Sequence, residues 1–128
     1  MTKNDAETTL QDLRDLVSKF REERNWSKHH TPKNLALSIS IEAAELMEHF
    51  QWDDYSKSSQ EEIADELADV LIYCFFFADA TGIDISTAFK NKLEKAGKKY
   101  PVEIFHAGKD QAEDYAQVKQ AYRSKKQS

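Results

Sequence analysis

The chain has 128 residues, of which 40% are hydrophobic and 32% charged, a composition typical of one folded domain. Three glycines and two prolines are too few for a protein built from turns and short strands. The formal net charge of -5 disfavours nucleic acid as a partner, because phosphate contacts need a basic surface. Cys74 is the only cysteine, so no disulfide can form within the chain. With a polar N-terminus and no apolar run near the ~20 residues that span a bilayer, we expect a cytoplasmic protein without a membrane partner.

The sequence predicts five helices and no strand, over about residues 9–24, 32–50, 60–80, 85–97 and 110–123. Capping residues mark several of the starts. Thr31 precedes a proline, Ser59 lies three residues before Glu62, and Asp84 follows Gly82, which suits a helix end. The expected fold class is therefore all-α, a compact four-helix-type bundle with an additional C-terminal helix.

The third predicted helix is apolar nearly all round from Val70 onward, which is typical of a helix buried on every side. We expect part of this surface to pack against another subunit, and burial at the centre of a monomer is the alternative. A chain of this length buries only about two thirds of its unfolded surface, so self-association would add to its stability.

Four carboxylates lie on the apolar sides of two successive predicted helices. Glu42 and Glu45 are three residues apart on the second helix, and each pair at this spacing shares one helical face. Glu66 and Asp69 have the same spacing on the third helix. Four inward-facing carboxylates would repel each other unless cations offset their charge. Oxygen-only ligands suit Mg²⁺, with Mn²⁺ as a substitute, and the alternative is that these acids are solvated or salt-bridged.

Several side chains near these acids could contact a ligand. Tyr73 lies one turn after Asp69, so its hydroxyl could reach a metal site. Trp26 and Trp52 flank the second predicted helix, where an aromatic face could stack on a base, and His30 could meet a phosphate or a base. Ordinary packing is the alternative for each of them. No glutamate is followed by histidine three residues later, which argues against a di-iron bundle.

Several segments resemble the MazG-like nucleotide pyrophosphohydrolases of the all-α NTP pyrophosphatase superfamily, and the dCTP pyrophosphatase branch is the most similar. The likeness covers about residues 26–103. We expect a single domain over residues 1–128, with a core at about 9–103 and a helical extension at 104–128. The segments are HTPKNL at 30–35, IEAAEL at 41–46, FQW at 50–52, Glu62 with DELADVLIY at 65–73, and KKYPV at 98–102.

This resemblance implies Mg²⁺-dependent hydrolysis of a (deoxy)nucleoside triphosphate, with dCTP or a related nucleotide expected, between the α- and β-phosphates. The products would be a nucleoside monophosphate and pyrophosphate, and the assembly a homodimer or homotetramer. By position, the resemblance assigns as catalytic metal ligands Glu42, Glu45, Glu66 and Asp69. One of the glutamates, with Glu45 as a candidate, would orient the attacking water. The implied nucleotide contacts are His30, Asn34, Trp52, Tyr73, Lys95 and Lys99.

The sequence departs from the family at two places. Ala96 stands where many relatives carry asparagine, and the residues from Ile104 onward do not follow the dCTP branch. These departures concern the preference for a base or a sugar. A catalytically silent nucleotide- or metal-binding module of the same fold is an alternative to the enzyme. A helical oligomer that acts as an interaction or antitoxin-like protein is a third hypothesis.

Overall fold

The computed structural model describes residues 3–52, 58–105 and 112–127, and every regular element in these ranges is helical. The elements are α1 (Leu10–Glu23), a 3-10 turn (Ser27–His29), α2 (Pro32–Glu48), α3 (Gln60–Thr81), α4 (Ile85–Lys99) and α5 (Ala112–Gln127). The predicted all-α fold class is confirmed. The chain groups into two compact units, residues 1–83 and 84–128. Within the described ranges no single helix is long and apolar enough to cross a membrane, although α3 and α4 taken together reach that length and composition.

Side-chain caps fix the starts of the helices that carry the acids. The Ser59 hydroxyl accepts a hydrogen bond from the backbone N–H of Glu62, and the Glu62 carboxylate accepts one from the backbone N–H of Ser59. This reciprocal pair is the capping box that the sequence predicted for α3. Thr31 accepts a hydrogen bond from the backbone N–H of Asn34 at the start of α2, and Asp84 caps α4 in the same way.

The helix ends differ from the predicted ones by a few residues. Gly82 has a φ of 70° after α3, the left-handed conformation that glycine adopts without strain. The chain leaves α2 after Glu48, two residues earlier than predicted. The fourth helix continues through Gly97 to Lys99, and it ends before Pro101 because a residue preceding proline is disfavoured in helical conformation. The fifth spans Ala112–Gln127, and its predicted cap, Asp110, lies outside the described residues.

In the first unit, α2 and α1 both pack against α3. The side chains that this packing buries are Leu35, Phe75, Phe76 and Ala78. A polar tie adds to the contact between α1 and α3. The Asp79 carboxylate accepts hydrogen bonds from the Arg14 guanidinium at 2.7 Å and from the Ser18 hydroxyl at 2.8 Å. Because Arg14 and Asp79 are only 16% and 15% exposed, this pair fixes how α1 lies on α3.

The third helix is buried on one side rather than all round. Phe76 is 2% exposed, whereas Leu67 and Leu71 are 51% and 48% exposed. The exposed side forms part of an apolar groove of about 400 Å³ between α1 and α3. Its lining consists of Leu13, Leu16, Val17, Phe20, Ala68, Leu71, Ile72 and Phe75. Burial at the centre of a monomer is therefore wrong for this surface, and a second subunit stays a prediction.

In the second unit, α4 and α5 contact each other through aromatic and basic side chains. The rings of Tyr100 and Tyr115 stack with their centroids 5.0 Å apart and 12° between their planes. The Lys99 ammonium lies 4.1 Å from the ring centroid of Tyr122, within the range of a cation–π contact. These contacts tie the C-terminal end of α4 to α5.

Candidate active site

Three of the predicted acids converge where α2 packs along α3. Glu42 and Glu45 belong to α2 and Glu66 to α3, and one carboxylate oxygen from each lies within 4.8 Å of the other two. The two helices thus place against each other the faces that carry the i, i+3 pairs. Asp69, the fourth predicted acid, is exposed on α3 and lies outside this set of three oxygens. Its charge nevertheless contributes to the field at Glu42.

The acids disturb one another electrostatically. The pKa of Glu42 rises from 4.5 to about 7, first because the carboxyl group is buried and then because it hydrogen-bonds to Glu45. The negative charges of Glu45, Asp69 and Glu66 add to this rise in pKa. Within the described residues, the buried Oε2 atoms of Glu42 and Glu66 have no hydrogen-bond partner. Clustered carboxylates with two unpaired buried oxygens fit a hard divalent cation, because such a cation prefers oxygen ligands and offsets the repulsion.

A histidine that the sequence analysis did not single out contacts this cluster. His49 follows the last residue of α2, and its Nε2 lies 3.7 Å from Oε1 of Glu66. Its Nδ1 lies 2.6 Å from the hydroxyl oxygen of Ser58. The signal for His49 was its position four residues after Glu45, since that spacing also shares a helical face. The di-iron motif considered above uses a spacing of three, so it does not include this histidine.

Two of the predicted nucleotide contacts lie in one aromatic cluster beside α3. The ring centroid of Phe76 is 4.5 Å from that of His30 and 5.7 Å from that of Tyr73. Trp26 extends the cluster, with its centroid 6.4 Å from that of His30. Burial lowers the pKa of His30, and its Nδ1 has no hydrogen-bond partner within the described residues. The cluster thus places an imidazole with an unused polar atom beside the α3 side chains Tyr73 and Phe76.

The other four predicted contacts are exposed in the first unit or lie in the second unit. Trp52 is 86% exposed, and Asn34 is exposed in the first turn of α2. Lys95 and Lys99 lie on α4 and line a groove of about 490 Å³ between α4 and α5. The groove also contains Lys98, Val118, Ala121, Tyr122 and Lys125.

Comparison with known proteins points to one family. A family model described as MazG-like matches residues 37–115. The dCTP pyrophosphatase 1 of Bos taurus is 34% identical over 107 residues, which are 77% of this chain and 63% of the bovine protein. The human protein of the same name is 34% identical over 106 residues, 77% of this chain and 62% of its own length. This chain therefore spans less than two thirds of the length of these mammalian relatives.

A solved structure extends the likeness to the fold. A pyrophosphatase from Archaeoglobus fulgidus is 47% identical, and the superposition covers 72% of this chain and 92% of that one with a TM-score of 0.63. The all-helical architecture described above matches this neighbour. Since the matched family model spans more than half of the chain and includes all three acids of the cluster, this chain belongs to the MazG-like family.

Proposed function

We propose that this chain is a divalent-metal-dependent nucleoside triphosphate pyrophosphohydrolase that cleaves between the α- and β-phosphates. The observation that carries the proposal is the convergence of Glu42, Glu45 and Glu66, whose oxygens lie within 4.8 Å of one another. The names of the mammalian relatives and of the archaeal neighbour support the reaction class. We take dCTP or a related deoxynucleotide as the preferred substrate because those mammalian relatives are named for dCTP.

The acidic cluster would hold the cation through Glu42, Glu45 and Glu66, with Asp69 as an adjacent fourth acid. Mg²⁺ is the proposed metal and Mn²⁺ its substitute, because both favour carboxylate oxygens. When bound, the metal would screen the charge of the triphosphate and lower the pKa of a coordinated water. A bound cation would therefore explain how so many acids can face an anionic substrate.

The protein's own groups would position the reactants. Glu45 is the candidate to accept a hydrogen bond from the attacking water and hold it in line with the α-phosphorus. The water oxygen bonds to the α-phosphorus as the bond to the bridging oxygen breaks, so the monophosphate keeps the water oxygen, pyrophosphate leaves and a proton is released to solvent. His30 and Tyr73 would contact the base beside Phe76, and the exposed indole of Trp52 would cover it by stacking.

The remaining proposed contacts come by position from the family resemblance, and their polarity and charge suit these roles. The Asn34 amide would hydrogen-bond the base or the sugar. Lys95 and Lys99 would offset the charge of the phosphates, as ammonium groups do at phosphate sites. The exposed apolar groove between α1 and α3 supports assembly of the cytoplasmic enzyme as a homodimer or homotetramer. The proposal treats residues 1–128 as one functional domain.

The test is hydrolysis of a panel of triphosphates with Mg²⁺ in ¹⁸O-labelled water. We expect a nucleoside monophosphate that carries the label, unlabelled pyrophosphate, and the highest rate with a deoxycytidine nucleotide. Glu66→Gln should abolish turnover, whereas Glu48→Gln, an exposed acid on the same helix as Glu42, should not. A diphosphate with labelled inorganic phosphate as products would contradict cleavage at the α-phosphorus.

A catalytically silent nucleotide- or metal-binding module is the second candidate. One observation favours it: Asp69 lies outside the three-oxygen set, so one predicted ligand is not in place. Calorimetric titration with a nucleotide and Mg²⁺ tests this candidate. Metal-dependent binding with no product after prolonged incubation would support it over the hydrolase.

A further inference from the structure

We propose that His49 is a positioning residue that orients the Glu66 carboxylate for the cation, with Ser58 setting the orientation and tautomer of the imidazole. The inference rests on the proposed metal site and adds to it two residues outside the proposed ligands and nucleotide contacts. All three side chains lie at the same end of the α2–α3 pair, where α2 ends and α3 begins.

The hydrogen bonding of the ring decides which nitrogen carries the proton. Nδ1 of His49 lies 2.6 Å from the Ser58 hydroxyl oxygen, which is a strong hydrogen bond. When that hydroxyl donates to Nδ1, the ring proton resides on Nε2. Nε2 is the atom that lies 3.7 Å from Oε1 of Glu66. In that tautomer the proton on Nε2 points toward the carboxylate, at a distance that makes the contact electrostatic.

The two oxygens of Glu66 have different surroundings as a result. Oε1 faces the imidazole of His49, whereas the buried Oε2 has no hydrogen-bond partner within the described residues. The side chains of His49 and Glu66 are only 18% and 24% exposed, so water screens their contact incompletely. Electrostatic attraction between Nε2–H and Oε1 would restrict rotation of the carboxylate and keep Oε2 available as a ligand. Substitution of a group that orients a metal ligand in this way commonly lowers metal affinity by about 10–100-fold.

Substitutions of His49 separate this role from simple packing. Glutamine places an N–H donor near the position of Nε2, whereas asparagine places one near the position of Nδ1. We therefore expect His49→Gln to keep Mn²⁺ affinity within about 3-fold of wild type. His49→Asn and His49→Ala should lose about 10–100-fold. Calorimetric titration with Mn²⁺ alone, without nucleotide, measures the affinities.

The proposal is overturned if all three variants bind like wild type, or if all three lose affinity equally, because equal losses indicate packing. Circular dichroism and thermal unfolding confirm that each variant is folded.

The ring nitrogens provide a readout on the metal-free protein. Long-range ¹H–¹⁵N spectra should show a proton on Nε2 of His49 and a hydrogen-bonded Nδ1 without one. Ser58→Ala should give a mixture of tautomers and a loss of Mn²⁺ affinity smaller than that of His49→Ala. A proton on Nδ1 with a bare Nε2 in the wild-type protein would overturn the proposal.

The two proposals fail in different ways. No turnover of any triphosphate, with the order of Mn²⁺ affinities intact, overturns the hydrolase assignment and supports the role of His49. Absence of Mn²⁺ binding by the wild-type protein overturns the role of His49 together with the metal site. Full turnover with unchanged Mn²⁺ affinity in His49→Ala overturns the positioning role alone.

Discussion

Neutralising Glu42 should stabilise the metal-free protein while removing its response to Mg²⁺. The carboxyl group has a pKa of about 7 in the folded chain, against an ordinary value of 4.5. The folded state therefore binds this proton more tightly than the unfolded state does. Stability conferred by the protonated group is present below about pH 4.5 and is lost as the pH rises through 7. At pH 8 the ionised Glu42 carboxylate destabilises the folded state by the full amount, and Glu42→Gln removes this destabilisation.

The size of the effect follows from the pKa. A rise from 4.5 to about 7 corresponds to about 3.4 kcal/mol at 1.36 kcal/mol per pKa unit. Solvent that reaches the cluster screens the charges, so we expect about 1–2 kcal/mol. For a chain of this length, that free energy corresponds to a rise of several degrees in Tm.

The assay is thermal unfolding in EDTA and in Mg²⁺, from pH 5 to pH 8. In EDTA, the wild-type chain should lose stability as the pH rises, and Glu42→Gln should lose less. In Mg²⁺, the wild-type Tm should rise and the variant's Tm should not. Glu48→Gln is the matched control, because Glu48 is exposed and does not contribute to the pKa of Glu42. A variant that is less stable than wild type in EDTA at pH 8 would refute the reasoning.

The remaining predictions concern the stability of the fold and the binding of the nucleotide. Asp79→Asn should lower the free energy of unfolding in urea by about 2 kcal/mol, since Arg14 and Ser18 lose a charged acceptor; an unchanged midpoint would contradict this. Ser59→Ala should cost about 1 kcal/mol by the same measurement, whereas Ser59→Gly should cost less. Trp52→Ala should leave Tm unchanged, since the indole is 86% exposed, and should raise KM for the nucleotide in steady-state kinetics; an unchanged KM would exclude stacking by Trp52.

Local chemistry in the sequence was sufficient to predict the helices. Ser59 and Glu62 form their capping box within four residues, and Gly82 adopts its left-handed conformation whatever packs nearby. The end of α4 was harder to predict, because Gly97 is tolerated inside the helix and the proline at 101 determines where the helix ends. Caps are local interactions, whereas helix ends depend on competition between neighbouring residues.

The acidic cluster was predictable in composition and only partly in geometry. The spacing of Glu42 and Glu45 places both on one face of α2, but only the packing of α2 on α3 brings Glu66 to them. The exposure of Asp69 depends on how α3 is rotated, which its spacing from Glu66 does not specify. The spacing of His49 from Glu45 indicates a shared face of α2, but the contact with Glu66 forms only because α2 packs on α3.

Anomalous diffraction from crystals grown with Mn²⁺ shows whether the acids of α2 and α3 share a cation. We expect an anomalous peak about 2.0–2.3 Å from carboxylate oxygens of Glu42, Glu45 and Glu66. The peak should disappear in Glu66→Gln crystals of the same form. A fully occupied Mn²⁺ elsewhere, with these three carboxylates free of metal, would contradict the account.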